Sequence, residues 1–153
     1  MIKDVYIVCG VPGAGKTWAC KQAASAYTYV PHDEHADGTV GQVALVQALK
    51  KAAQTGSKPL LTECPFGERV LRDVLINHGF TVHPVFIVEH VDVVRARYTP
   101  RGRELPKNSA TRAGRAGRIA SRAKDWKCPS GTSSEIAELL KLAAYQSSLN
   151  NAI

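Results

Sequence analysis

The sequence predicts an α/β protein, a three-layer α/β/α sandwich around a mostly parallel central sheet. Three observations carry that expectation. Short β-rich runs alternate with longer helical stretches along the chain, the order that produces a parallel sheet with helices on both faces. The first run, Val5–Cys9, is continuously apolar rather than alternating, as suits a strand covered on both sides. Three of the runs end in residues suited to ligands, namely Gly10 onward, Asp33 and Glu63, and ligands in such sheets lie beyond the carboxyl ends of the strands.

The elements follow in order. After the strand Val5–Cys9, a stretch rich in Ala, Lys and Gln predicts a helix from Lys16 to about Ala26. Tyr27–Pro31 reads as a second strand ending at "HDEH". Val43, Val46, Leu49 and Ala53 recur at three- and four-residue intervals, predicting a helix from Thr39 to about Gln54 that stops at Gly56. Pro59–Thr62 is a short strand leading into "ECPFG", and Glu68–His78 a helix closed by Gly79. Thr81–Glu89 is a strand whose Pro84 predicts a bulge near its start. Asp92 to about Tyr98 is helical, "TPRGRELPKN" is a polar loop, and Ser109 to about Lys124 is a helix interrupted by Gly114 and Gly117. "CPSGTSSE" reads as a loop with cap-like serines before a last helix, Glu135 to about Leu149.

With 153 residues the chain is expected to form a single domain spanning 1–153. Hydrophobic residues make up 44% and charged residues 22%, the balance of an ordinary globular protein. No apolar run approaches the ~20 residues that span a bilayer. The first residues lack the pattern of a signal peptide, so a cytoplasmic location and no membrane partner are expected. Cys9, Cys20, Cys64 and Cys128 are scattered, without the paired spacing of a zinc site or a disulfide framework. The net charge of +7 is concentrated: Arg95 to Lys127 holds eleven basic and two acidic residues, a local +9. Such a segment faces something polyanionic, a nucleoside triphosphate, a nucleic acid or both.

The most specific signal is "GVPGAGKT". Gly10, Val11, Pro12, Gly13, Ala14, Gly15, Lys16 and Thr17 fit G-x-x-x-x-G-K-[ST], directly after a strand and opening a helix. The glycines bring backbone N–H groups against phosphate oxygens, and the helix N-terminus adds unpaired donors. Lys16 reaches the β- and γ-phosphates and the Thr17 hydroxyl is a ligand for Mg²⁺. This is the P-loop, so the fold expected is that of a P-loop NTPase, with ATP and Mg²⁺ as cofactors. No guanine-reading Asn/Thr-Lys-x-Asp element is present, which argues against a GTPase switch. The third strand ends in a lone Glu63 rather than the Asp-Glu of a motor ATPase. A small phosphotransferase with an acid after the second strand and an Arg-rich lid at about 99–112 fits better.

The order "GVPGAGKTW", "PHDEH", "TECPFGERVLRDVL", "RARYTPRGRELP" resembles the kinase domain of phage polynucleotide kinases and their smaller P-loop relatives, over roughly residues 3 to 125. Related phage kinases phosphorylate hydroxymethylated bases within DNA. The lid pattern R-x-x-x-R-G-x-x-[LV]-P, Arg97 to Pro106, is its more discriminating element. The resemblance implies that Asp33 is the general base for an acceptor hydroxyl, a role open to a carboxylate within hydrogen-bond reach. It implies that Arg97 and Arg101 neutralise charge on the transferred phosphoryl, for which a permanently charged, delocalised donor is suited. Glu63 takes the place of the family's acid after the third strand, holding the acceptor or a metal-bound water. The family's phosphate-side arginine falls at Ala36, a departure for which His35, Arg69 or Arg72 would have to substitute.

Arg112, Arg115, Arg118 and Arg122 recur at three- and four-residue steps with no acids between them, a broad basic helix face over 109–125. Its two readings are a solvated surface and a grip on phosphate backbone. By analogy with small kinases, "CPSGTSSE" would border adenine. The function expected is transfer of the γ-phosphoryl of ATP to a hydroxyl on nucleic acid, DNA first, at a 5′ end or a hydroxymethylated base. The alternatives are a nucleoside or (deoxy)nucleoside-monophosphate kinase and a non-catalytic ATP-dependent nucleic-acid-binding module.

Overall fold

The computed structural model describes residues 1–98 and 109–151, with side chains excepted at 91, 95, 97–98, 109–116 and 151. Among these, the strands are β1 (Asp4–Cys9), β2 (Thr28–Tyr29), β3 (Leu60–Cys64), β4 (Thr81–Ile87) and β5 (Ser130–Gly131). They form one five-stranded sheet in the order β2-β3-β1-β4-β5, every pairing parallel. The helices are α1 (Lys16–Ala23), α2 (Val43–Thr55), α3 (Glu68–Asn77), α4 (Val91–Tyr98), α5 (Ser109–Asp125) and α6 (Ser133–Asn151). Among the described residues no helix is long and apolar enough to cross a membrane.

Period-two alternation along β1 sorts the core into two halves. Val5, Ile7 and Cys9 pack with Leu45, Leu49, Leu71 and Leu75 of α2 and α3 and with Ala123 of α5. Val8 faces the other way, onto Ala19 and Ala23 of α1 and Ile136 and Leu140 of α6. The three expected layers are thus present, with β1 in the middle of the sheet.

Several boundaries differ from the sequence reading for identifiable reasons. The expected strand Tyr27–Pro31 shrinks to Thr28–Tyr29, since Ala24–Ala26 form a 3₁₀ turn that ends the first helix at Ala23. The helix expected from Thr39 begins at Val43. Thr39 Oγ1 and Asp37 Oδ2 accept the amides of Val43 and Ala44, each at 3.0 Å, so these polar side chains cap the helix instead of entering it. β3 runs on through Glu63 and Cys64, beyond the expected end at Thr62.

Pro84 makes no bulge: β1 and β4 pair without a break from Asp4↔Thr81 to Cys9↔Phe86. The amides of Phe86 and Val88 point to the β5 side, donating to Pro129 O and Gly131 O at 3.0 and 2.8 Å. Alternation turns position 84 to that same side, before β5 begins, so the missing N–H leaves no partner unpaired. The stretch read as a loop contains β5, too short and too poor in β-formers to be seen in the sequence. Thr132 and Glu135 then form a capping box. Thr132 Oγ1 accepts the Glu135 amide at 3.2 Å and Glu135 Oε1 accepts the Thr132 amide at 3.0 Å.

α6 is clamped to the sheet by a buried hydrogen bond in which the Tyr27 hydroxyl donates to Leu140 O at 2.6 Å. Tyr27→Phe keeps the ring in place and removes that bond. It should lower stability by about 1 kcal/mol, read as an earlier urea midpoint with an unchanged slope.

Candidate active site

The glycine loop joins β1 to α1 at the carboxyl edge of the sheet, and its shape depends on residues without side chains. A Cβ at Gly10 would lie 3.2 Å from Ile87 O and 3.3 Å from the Ala14 Cβ, so any larger residue would push the end of β1 off β4. Gly15 caps α1 with φ 99°, a conformation L-residues rarely adopt. Together they present the N-terminus of α1 to the cleft, an arrangement suited to phosphate oxygens.

Lys16 is folded back over the loop, its Nζ donating to Val11 O at 2.8 Å. The side chain is buried, which pushes its pKa down, against the opposing pull of Glu63. Glu63, only 3% exposed, is held at both oxygens. Thr17 Oγ1 donates to Oε1 at 3.4 Å and the Tyr29 hydroxyl donates to Oε2 at 2.5 Å. Burial and that bond to the carboxylate raise the Tyr29 pKa, so the phenol remains a donor. Cys20, buried behind Glu63, has its thiol pushed well up, first by burial and then by the carboxylate. It is a packing group.

Asp33 lies in the loop after β2. Its side chain is 88% exposed, and Oδ1 sits 3.3 Å from Nδ1 of the buried His32. A cleft of about 290 Å³ is bordered by Gly13, Gly15, Lys16, Thr17, Asp33 and Glu63, so the glycine loop and both expected acids share one opening. The Thr17 hydroxyl and a Glu63 carboxylate oxygen are hard oxygen donors side by side, a set that fits Mg²⁺. That ion takes most of its remaining positions from phosphates and water.

Other expected residues lie elsewhere. Arg72 does not border this cleft: its guanidinium carbon stacks 3.8 Å from the centre of the Trp126 ring. The cause is helical spacing. Glu68 and Arg72, one turn apart on α3, both face the end of α5, where Arg122 bonds Glu68 and lies 5.6 Å from the same ring. Arg69 is exposed on the first turn of α3. The Arg97 side chain, Arg101 and residues 99–108 of the expected lid at 99–112, with the side chains of Arg112 and Arg115, lie outside the described residues; the lid's last residues, 109–112, are the start of α5. His32 is next to Asp33 in the sequence, where it reads as an incidental neighbour, whereas no sequence pattern points to Tyr29 as the partner of Glu63. Tyr29 pairs with Leu61, two residues before Glu63 on the same strand face, a register no single-sequence pattern contains.

The basic series therefore divides. Arg122 neutralises the buried Glu68, whereas Arg118 is exposed and has no acid partner among the described residues. Arg122→Ala should lower stability by about 2 kcal/mol, because it strands a buried carboxylate. Arg118→Ala should stay within about 0.5 kcal/mol. Parallel thermal and urea unfolding of the two variants checks the division.

No protein-family model matches the sequence, and no curated protein does. Among solved structures, the chain is similar to a gluconokinase from Sinorhizobium meliloti 1021, with a TM-score of 0.64 and 17% identity over 99% of this chain and 97% of that one. It is similar to the tunicamycin resistance protein of Deinococcus radiodurans, with a TM-score of 0.73 and 16% identity over 92% and 95%. It is also similar to shikimate kinase from Acinetobacter baumannii in complex with shikimate, with a TM-score of 0.58 and 16% identity over 95% of each chain. At these identities the likeness is one of fold: the chain has the P-loop α/β fold, and its structural neighbours include kinases.

Proposed function

We propose that this chain is a phosphotransferase that moves the γ-phosphoryl group of ATP to an acceptor hydroxyl. The single observation that carries the reading is the shared cleft of Lys16, Thr17, Glu63 and Asp33. Asp33 accepts the proton of the acceptor hydroxyl as its oxygen bonds to phosphorus, while the bond to the bridging oxygen of ADP breaks. Lys16 moves from Val11 O to the phosphates and balances their charge. Magnesium, when bound, supplies further charge neutralisation at the phosphates; Thr17 and Glu63 would hold it, the latter directly or through water. Tyr29 keeps the Glu63 carboxylate aimed at Thr17. Arg97 and Arg101 are proposed to meet the transferring phosphoryl from the lid.

For the acceptor we propose a hydroxyl carried by nucleic acid, at a 5′ end or on a hydroxymethylated base. The local +9 of residues 95–127 supports it. The second reading, a free small acceptor, is favoured by the small cleft and by neighbours whose names are gluconokinase and shikimate kinase. A free nucleoside or nucleotide belongs to this second class.

Label transfer from γ-labelled ATP to plain DNA, base-hydroxymethylated DNA, RNA, free nucleotides and sugar acids separates these readings. A product confined to the free acceptors rejects the nucleic-acid reading. Asp33→Asn should lower kcat by about 10²–10⁴ with ATP affinity unchanged, as calorimetry and steady-state kinetics would measure. A non-catalytic nucleotide-binding module would show no turnover for the substitution to reduce.

The Lys16 environment gives a pH prediction. Its lowered pKa means that the cation is lost at a pH below that of an exposed lysine. ATP affinity should therefore weaken as pH rises through that lowered value, while phosphate binding, which favours the charged form, should take up protons there. Titrations of the Mg-ATP dissociation constant in alkaline buffers of differing ionisation enthalpy test both.

A further inference from the structure

The main chain that carries Asp33 is tied to β3. Beyond the two paired residues of β2, the Val30 amide donates to Leu61 O at 2.8 Å and Thr62 Oγ1 donates to Val30 O at 2.7 Å. Pro31 then restricts its own φ. His32 follows, 6% exposed, and its carbonyl accepts the His35 amide at 3.0 Å across a turn. Asp33 is the second residue of that turn. Its backbone is held, while its exposed side chain gains no restraint from packing.

One group restrains the carboxylate. In an extended chain adjacent side chains point to opposite faces. Here the turn brings neighbours together, with His32 Nδ1 3.3 Å from Asp33 Oδ1. The imidazole is itself well placed, because it is buried and meets the Phe66 ring edge-on at 6.1 Å. An ionised carboxylate only accepts, so the contact needs the proton on Nδ1. It engages Oδ1 and leaves Oδ2 without a partner among the described residues. A single hydrogen bond biases the rotation of Asp33 without locking it, unlike the two that fix Glu63.

We propose that His32 is a positioning residue for Asp33: its Nδ1–H holds Oδ1, so that Oδ2 is the oxygen offered to the acceptor hydroxyl. The inference deepens the phosphotransferase reading and rests on it for its purpose. His32 itself meets no reacting atom in this arrangement.

The first test needs no turnover. Long-range ¹H–¹⁵N spectra of the full chain in alkaline buffer, with the His32 signals assigned by their loss in His32→Asn, report which ring nitrogen bears the proton. In the wild-type chain Nδ1 should bear it, and in Asp33→Ala the proton should move to Nε2. The second test is label transfer from γ-labelled ATP to base-hydroxymethylated DNA, free nucleotides and gluconate. His32→Gln, whose amide reaches nearer to the place of Nε2, should lower kcat about fivefold, the weight of one net hydrogen bond, with KM for ATP unchanged. His32→Asn, whose amide nitrogen falls near the place of Nδ1, should retain most of kcat. In an Asp33→Ala background neither substitution should lower kcat further, whereas a merely structural effect would persist there. Thermal unfolding sets a temperature at which every variant is folded. A wild-type Nδ1 without its proton, Gln serving as well as Asn, or a loss that survives in Asp33→Ala overturns the inference. No label transfer by the wild-type chain to any acceptor would instead sink the phosphotransferase reading, while the spectra still decide whether His32 holds Asp33.

Discussion

The parallel pairing of β1 with β3 is the constraint on which the rest of the site depends. Five consecutive residue pairs, Val5↔Leu60 to Cys9↔Cys64, set where the glycine loop begins relative to Glu63. With Val8 opposite Glu63, the carboxylate emerges two residues before Gly10, on the α1 side of the sheet, where Thr17 meets it. A slip of one residue would turn Glu63 toward α2 and α3 and put its neighbours under the loop. Both faces of these strands are covered, so the slip would bury Glu63 among the apolar side chains of α2 and α3 and would break the buried bond from Thr62 Oγ1 to Val30 O, 2.7 Å long. The register of two buried strands thus sets the position of a carboxylate.

That charge is then made rigid. A buried carboxylate with free rotation would be costly and poorly aimed; hydrogen bonds at both oxygens address both problems. Lys16 is nearby and buried, with its cation held on Val11 O. The cleft therefore has a buried lysine and a buried glutamate on its floor, both already taken out of bulk water. Asp33 contrasts with them, exposed and, among the described residues, bonded to His32. An exposed side chain keeps rotational freedom, whereas Glu63 and Lys16 are fixed by their hydrogen bonds.

The fold was largely legible because its signals are local: a continuous apolar run, helical periodicity over α2 and the chain of glycines each act over a few residues. The site was legible where a motif sits on one segment, from Gly10 to Thr17. It was less so where partners come from distant segments. Tyr29 and Glu63 are 34 positions apart and meet only through the strand register. β5 escaped because two residues without β-propensity pair through backbone alone. Pro84 suggested a bulge because the sequence does not reveal which strand edge lies open. Arg72 looked like a ligand because an arginine after a strand-end acid has the right charge; its role is set by Trp126, 54 residues away, which offers a ring for it to stack on.

The fate of the arginines changes how the basic segment should be weighed. Counted along the chain, residues 95–127 are a block of like charge, and such a block implies a polyanion. Within the folded chain, Arg122 is matched by Glu68 from α3, so that part of the block is neutralised across helices rather than along them. The same contact ties the end of α5 to the first turn of α3, directly after the loop that carries Phe66. Among the described members of the arginine series, Arg118 is the one without an acid partner, one helical turn from that anchor. A count of charge along the chain therefore overstates the field that this segment presents, because the acid that offsets part of it lies on another helix.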